Sequence, residues 1–593
     1  MSYSLAPVDL QFLRFFRCIA VSSVFFFLSG CAAYFDTSPK PELSAKVVQR
    51  LKSEEKLPLA MLSKSTPQTL NAALAEKDVR YKKLNLSLPL SNFSQTPAKP
   101  PETNRQLSIA EARAMGLSNN LDLKIALIEP SIAATYVSEE QAKFDDLIFA
   151  NVKYANKDTP KLDSDVVSFT SVNEGSPLNN EVAKLNLLAQ STEQVDFEAG
   201  VIIPLRTGGK VTISTPFNYK QTDLYVPSEQ YLAGMRFSIS QPLLRSAGID
   251  ANVASIRIVR YQQNIVDLKT RLQSIRVLAA IDKAYWALYV AWEELDIQHQ
   301  QYKIAEQNLA MVQRRVKEGL TAAIEINRAK MGVAERMASL IIAKTKLKVT
   351  QRKLMLLLND DQYDLDTPIV FNTTTPPTLL NFNFERSALV EKAMSGRLEL
   401  LEMELKLAAD ATKIDYLENQ TLPLFMLDYS YGTQGRGDGL GGAYANSFDG
   451  QYDNWSVGLK MEIPLTNELR RSRLSRAVQQ RLQRLTTREL KILTVRREIY
   501  DALDQVAQNW QLIIANRQSV VLAGINYTAE LKQFNEGLRT MTEVLMALTK
   551  LAKTQIKEVK AIANYQVALI DLAYATGTLL GYGRVDLAQS VEE

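Results

Sequence analysis

Apolar positions along this chain repeat with two different periods, and each period keeps to its own stretches. Leu278, Ile281, Tyr285, Leu288, Trp292 and Leu295 alternate spacings of three and four, the seam of a coiled coil. No proline occurs in the 125 residues from Leu243 to Thr367, nor in the 129 from Leu465 to Glu593. A proline inside a helix costs roughly 3 kcal/mol, so both stretches can be helical throughout. One helix over 245–316 would have 72 residues and a length of about 108 Å. Each long segment ends at Glu-Gly-Leu, where Gly319 or Gly537 can take the left-handed conformation that closes a helix. A second helix then returns, so two helical hairpins are predicted.

The other period is two. From Trp455 to Ile463 every odd position is apolar and every even one small or charged, the alternation of a wall between lipid and water. Residues 424–431 and 233–241 keep a similar period, with Tyr231, Tyr429 and Tyr431 placed like membrane-interface aromatics. The polar, glycine-rich stretch 432–442 reads as the outer loop of a barrel hairpin. Residues 195–203 and 210–219 also alternate, and they flank Leu205 to Gly209, a plausible hairpin turn. With a further strand ending at Tyr154, that makes six strand candidates. One chain supplies too few strands to close a barrel around a pore, so subunits must share it.

The whole pattern occurs twice. Leu121-Asp122-Leu123 and Leu398-Glu399-Leu400 lie 277 apart, each in an amphipathic stretch (108–143 and 384–420) that leads to a strand ending at Tyr154 or Tyr431. Glu318-Gly319-Leu320 with Glu325 and Ala329 matches Glu536-Gly537-Leu538 with Glu543 and Ala547 at an offset of 218. The repeating unit is helix, strands, long helix, turn, helix, and its length marks a duplicated domain rather than a solenoid.

The N-terminus carries a different signal. Arg14 and Arg17 precede the 11-residue apolar run Cys18 to Leu28, too short to span a bilayer but right for the core of a signal peptide. It ends in Leu28-Ser29-Gly30-Cys31, which resembles the lipobox of bacterial lipoproteins, so Cys31 is the expected site of lipid attachment. In such lipoproteins an Asp after the Cys often retains the protein at the inner membrane, and Ala32 is compatible with the outer one. Eight prolines between 36 and 105 mark a tether without a packed core. The chain divides into a lipoprotein signal peptide (1–30), a lipid anchor and tether (31–105), a first repeat (106–383), a second repeat (384–583) and a tail (584–593).

Composition removes most enzymatic readings. The chain has 593 residues, 46% hydrophobic and 23% charged, which argues against wholesale disorder and against a polytopic helical membrane protein. Lys and Arg total 69 against 65 Asp and Glu, too balanced for a dedicated nucleic-acid binder. His299 is the only imidazole, and both cysteines precede residue 32, so histidine metal sites and Ser-His-Asp or Cys-His machinery have almost no material. No catalytic site, metal or cofactor is expected.

Several motifs together resemble the TolC-type outer-membrane efflux family over roughly residues 106–583. They are Leu107-Ser108-Ile109-Ala110-Glu111-Ala112 followed by Asn119-Asn120-Leu121-Asp122-Leu123, then Ser240-Gln241-Pro242-Leu243-Leu244-Arg245 with Ala247-Gly248, and the two Glu-Gly-Leu tips. The resemblance implies an α+β membrane protein, a long α-helical coiled-coil tunnel below transmembrane β-strands that form a shared trimeric β-barrel. It implies four strands per protomer in a twelve-stranded barrel, and a passive duct in the outer membrane with its tunnel in the periplasm. A periplasmic adaptor opens such a duct and an inner-membrane pump of RND, ABC or MFS type energises it, for efflux or type I secretion. By the same resemblance, Gly319, Leu320, Gly537 and Leu538 form the adaptor-docking tips. Glu325, Arg539 and Glu543 are the gate residues, with Arg539 suited to pair with Glu325 and three copies of Glu543 gathered at the constriction. Phe534 stands where some relatives place a Tyr hydroxyl.

Against four strands per protomer, residues 195–219 are read as an accessory hairpin or as extensions of barrel strands rather than as a larger barrel. Gly437 to Gly442 fits G-x-G-x-x-G, but without an amphipathic helix after it a flexible loop is the better reading, and the Arg436-Gly437-Asp438 triplet is read as chance. Arg470, Arg471, Arg473 and Arg476 suit either a solvated helix face or contact with lipid phosphates. His299 is read as an exposed helix residue. A periplasmic adaptor or a structural coiled-coil envelope lipoprotein are the alternatives. The first would carry one coiled-coil hairpin beside lipoyl-like domains, and the second would need no alternating strands.

Overall fold

The computed structural model describes residues 68–69, 103–162, 187–222, 229–366, 369–449 and 452–583. The signal peptide, Cys31, most of the tether and the 584–593 tail lie outside the described residues. All elements below belong to one unit, Pro58–Leu579.

β1 (Gln68–Thr69) lies in the tether and β2 (Thr103–Leu107) at its end, and the first repeat continues with α1 (Ile109–Asn119) and α2 (Leu121–Gln141). Four strands follow: β3 (Leu147–Leu162), β4 (Leu187–Pro204), β5 (Lys210–Thr222) and β6 (Glu229–Pro242). Then come α3 (Ile249–Lys317), α4 (Ile324–Leu358), β7 (Ile369–Thr373) and β8 (Leu380–Asn381). The second repeat consists of α5 (Arg386–Gly396), α6 (Leu398–Thr421), β9 (Leu424–Gly437), α7 (Leu440–Phe448), β10 (Asp453–Glu462), α8 (Glu468–Asn535) and α9 (Met541–Ala575).

The helical reading holds closely. α3 has 69 residues and α8 has 68, each about 100 Å long. Each pairs with a returning helix of 35 residues, α3 with α4 and α8 with α9, and α9 also packs on α3. Leu278, Ile281, Tyr285 and Leu288 are fully buried along the seam, and Trp292 uses its indole N–H on the Phe371 carbonyl at 2.6 Å. His299 is exposed. Both tips close as foreseen. Gly319 and Gly537 have φ of 75° and 78°, and the following Leu320 and Leu538 donate back to Arg315 and Gln533 at 2.8 and 2.9 Å. A side chain at either glycine would be strained in that left-handed region.

Two short pairings tie the tether and the repeats together. β2 runs parallel to β7, and Gln68–Thr69 of the tether pairs with Leu380–Asn381. Each amphipathic stretch proves to be two helices broken at one residue, Asn120 or Arg397. Ser108 starts α1 with a reciprocal cap, its hydroxyl accepting the Glu111 N–H while the Glu111 carboxylate accepts the Ser108 N–H.

The strands depart most from expectation. All six lie in a single antiparallel sheet of order β10-β9-β6-β5-β4-β3. Residues 195–219 are therefore not an accessory hairpin beside the sheet. As β4 and β5 they occupy its middle, hydrogen-bonded to β3 on one side and β6 on the other. Strands β3 and β9 continue past Tyr154 and Tyr431, to Leu162 and Gly437. The stretch 432–442 is not a loop either, because β9 runs through its first half and the nine-residue α7 begins at Leu440. A helix does begin inside the G-x-G-x-x-G run, but it folds back on an antiparallel pair, not between the parallel strands a dinucleotide site requires.

Candidate functional site

Strand register sorts the side chains of the sheet onto two chemically distinct faces. Ile148, Val201, Ile213, Phe237, Tyr431 and Trp455 are consecutive cross-strand partners, one from each strand. Two residues nearer the helices, Ile203, Val211, Ile239, Tyr429 and Val457 repeat the row. Toward the other end the same face carries Tyr154, Val195, Tyr219 and Tyr231, with the rings of Tyr219 and Tyr231 4.9 Å apart. Asn156, Glu193, Gln221 and Glu229 follow, and the apolar band ends there. Of the three tyrosines expected at an interface, Tyr231 lies in this aromatic row, whereas Tyr429 and Tyr431 lie deeper in the band.

The opposite face is polar. Gly200, Ser214, Arg236, Gly432 and Asn454 form one of its rows, with Phe149 at the β3 end. Lys153, Asp196 and Asn218 fall on another. Glu198 of β4 accepts from the Ser214 hydroxyl at 2.8 Å and lies 3.6 Å from the Arg236 guanidinium, so an ion pair spans β4 to β6 across β5. Both side chains of this pair stay partly exposed, and charges cost far less beside water than against hydrocarbon.

Helix α7 lies against the apolar face at its outer end. A Cβ on Gly435 would stand 2.1 Å from the Ala443 carbonyl, and one on Gly437 would stand 2.4 Å from the Ala443 nitrogen, so both glycines are needed for the approach. The Tyr444 and Thr215 hydroxyls share a 2.8 Å hydrogen bond, and Asn446 donates to the Arg436 carbonyl at 2.7 Å. The Arg436-Gly437-Asp438 triplet thus sits at a strand end under a helix rather than on a projecting loop.

At the far ends of the long helices the two tips meet. Glu325, in the first turn of α4, is 7% exposed, and its carboxylate accepts the Met541 N–H of α9 at 3.0 Å and the Arg328 guanidinium at 2.5 Å. Glu543, its counterpart in the repeat, instead turns back on its own helix, accepting from the Thr540 N–H at 2.6 Å and hydroxyl at 2.9 Å. Those two bonds, helped by Arg539, hold the Glu543 carboxyl below its ordinary range. Arg539 donates to Gln533 at 3.0 Å and Glu543 at 3.2 Å, and it lies 3.6 Å from Glu530. The expected Arg539–Glu325 pair is therefore replaced in the chain by Arg539–Glu543 and Glu325–Met541. The reason is local. Thr540 gives Glu543 a capping partner, whereas the matching position before Glu325 is Ala322, which offers no hydroxyl. Phe534, 2% exposed, packs in the core between the tips with the Arg315 guanidinium 5.8 Å from its ring. Leu320 and Leu538 project from the turns, well exposed.

Two residues fix the opposite end of the hairpins, Asn120, quoted above only as part of a motif, and Arg397, which sequence reasoning missed. The Asn120 side chain caps α2 at the Leu123 N–H and donates to the Leu357 carbonyl at 2.9 Å. Arg397 occupies the equivalent break, donates to the Ala575 carbonyl at 3.0 Å, and pairs with Glu399 and Glu498 at 2.9 and 3.0 Å. The signal was available, since 120 and 397 differ by the same 277 as the Leu-Asp-Leu and Leu-Glu-Leu motifs beside them, and 357 and 575 by the same 218 as the tips.

Comparison with known proteins adds an independent line. The outer membrane efflux protein family matches residues 226–360 and 389–578, more than half of the chain. The outer membrane protein TolC of Vibrio cholerae is 20% identical over 410 residues, 68% of this chain and 88% of the relative. Among solved structures, the CmeC outer membrane channel of Campylobacter jejuni superposes with a TM-score of 0.57 at 13% identity, covering 82% of this chain and 87% of CmeC. The outer membrane protein VceC of Vibrio cholerae does so with a TM-score of 0.54 at 14% identity, covering 79% and 96%.

Proposed function

The chain belongs to the outer membrane efflux protein family, whose members are outer-membrane channels and not enzymes, and from that premise we propose that it is the passive exit duct of a tripartite efflux or type I secretion system. The observation that carries this reading is the two-faced sheet joined to two duplicated helical hairpins. The apolar face with its aromatic row suits lipid, and the polar face with the Glu198–Arg236 pair suits a water-filled lumen. The outer edges of the two end strands, β3 and β10, pair with no further strand among the described residues. An open edge in a bilayer leaves N–H and C=O groups without water, so the sheet closes through further copies of the chain, and three copies follow the family pattern.

In this reading the hairpins form the periplasmic tunnel, and the bridged tips are its shut end. Leu320 and Leu538 supply the exposed apolar contacts for a periplasmic adaptor, which opens the tips while an inner-membrane pump of RND, ABC or MFS type drives transport. Cys31 carries the lipid that holds the N-terminus to the outer membrane. Light scattering of the detergent-extracted protein tests the assembly. A mass of three chains is expected, and a folded monomer would contradict the shared wall.

A further inference from the structure

Six strands in one sheet bear on the size of the pore. We infer that the β4–β5 hairpin is part of the membrane wall, so that three copies of this chain, joined β3 to β10, close a barrel of eighteen strands rather than twelve. The inference rests on the channel reading above and deepens it.

Register carries the argument. An accessory hairpin lying off the wall would have no reason to keep the wall's phase, because a slip of one residue puts every side chain on the other face. β4 and β5 keep it throughout. Val201 and Ile213 continue the apolar row from Phe237 to Ile148. Val195 and Tyr219 continue the outer row from Tyr231 to Tyr154. On the polar face Glu198 and Ser214 are bonded to one another, and Glu198 reaches Arg236. The hairpin also cannot be lifted out without exposing its neighbours, since β3 pairs with β4 from Leu147 to Leu162 and β6 pairs with β5 over most of its length.

The inner end of the hairpin is anchored too. The turn between β4 and β5 meets the start of α3, with the Thr207 carbonyl accepting the Gly248 N–H at 3.1 Å and the Gln241 side chain at 3.1 Å. No helix descends from this turn, whereas β3, β6, β9 and β10 each adjoin one. The barrel therefore gains six strands per trimer without any gain in tunnel helices. Barrel diameter grows roughly linearly with strand number, so the mouth is about one and a half times as wide as a twelve-stranded one.

Single-particle imaging of the full chain in lipid nanodiscs tests this, with eighteen strands expected in cross-section. Twelve strands with β4 and β5 outside the wall would overturn the inference and leave the channel reading standing, while the absence of any shared barrel would overturn both. Substitution gives a second test. Phe217 of β5 lies on the apolar face between Phe197 and Ala233, and Val201→Lys and Phe217→Lys should reduce assembled protein in the outer membrane as strongly as Val457→Lys on β10. Assembly at the wild-type level with lysine at 201 and 217, alongside loss with lysine at 457, would place the hairpin outside the bilayer and overturn the inference.

Discussion

The carboxylate of Glu325 accepts the backbone N–H of Met541 at 3.0 Å, joining the start of one returning helix to the start of the other across 216 residues of sequence. The repeat would have each glutamate cap its own helix, and only Glu543 does so. Divergence at Ala322 and Thr540 thus converts one of two equivalent caps into a link between the tips.

Removing that link should loosen the closed end. Glu325→Ala leaves the buried Met541 N–H without an acceptor, at a cost of about 1–3 kcal/mol. Glu325→Gln keeps an acceptor and loses only the charge shared with Arg328, so its effect should be smaller. Amide hydrogen exchange at Met541 and the turn after it reads the difference, in the order Ala, then Gln, then wild type. Unchanged exchange in the alanine variant would show that the bond does not hold the tips.

At the other end of the hairpins the two breaks should differ in weight. Arg397→Ala strands Glu399, which is largely buried, and frees the Ala575 carbonyl, and breaking a buried pair in this way costs about 3–5 kcal/mol. Asn120→Ala removes a neutral cap and one hydrogen bond, at about 1–2 kcal/mol. Thermal unfolding of the assembled protein should therefore drop much further for the arginine variant, and equal shifts would refute the assignment.

How far this architecture could be read from sequence depended on whether a signal was local. The absence of proline, the Leu278 to Leu288 seam and the tip glycines specify the hairpins because helix formation and capping are decided within a few residues. Alternation likewise marks the strands near 195–203, 210–219, 233–241, 424–431 and 455–463, but it does not mark where strands end. Past Tyr154 and Tyr431 the strands carry polar or glycine residues on both faces, where the apolar contrast that reveals a strand is gone although the pairing continues. Helix α7 was hidden because Gly441 and Gly442 read as a loop, while its stability comes from docking on Gly435 and Gly437. The Glu325–Met541 bond joins groups distant in sequence, and nothing near either residue announces it.

Acidity offers a further check on the second repeat. Burial pushes the Glu399 carboxyl up, but the hydrogen bonds and charge of Arg397 outweigh it and leave the group below its ordinary 4.5. In the unfolded chain Glu399 takes up its proton near 4.5, in the folded one only at lower pH. Between those values the unfolded state binds more protons, so the contribution is intact above about pH 4.5 and is lost as pH falls through the folded value. Glu399→Gln should flatten this acid limb in a plot of unfolding midpoint against pH. An acid limb identical to wild type would assign the loss to other carboxylates.

Lipid attachment and membrane insertion should separate. Cys31→Ser should abolish incorporation of labelled palmitate while the protein still fractionates with the outer membrane, because the sheet carries its own apolar band. Label retained in the serine variant would mean that another residue is modified.

The central claim is that this chain forms a water-filled duct through the outer membrane, and single-channel recording in planar bilayers tests it most directly. Discrete conductance steps are expected from the purified trimer, larger in Glu325→Ala than in wild type because the tips limit the current. Inserted, folded protein that passes no current in either form would contradict a channel.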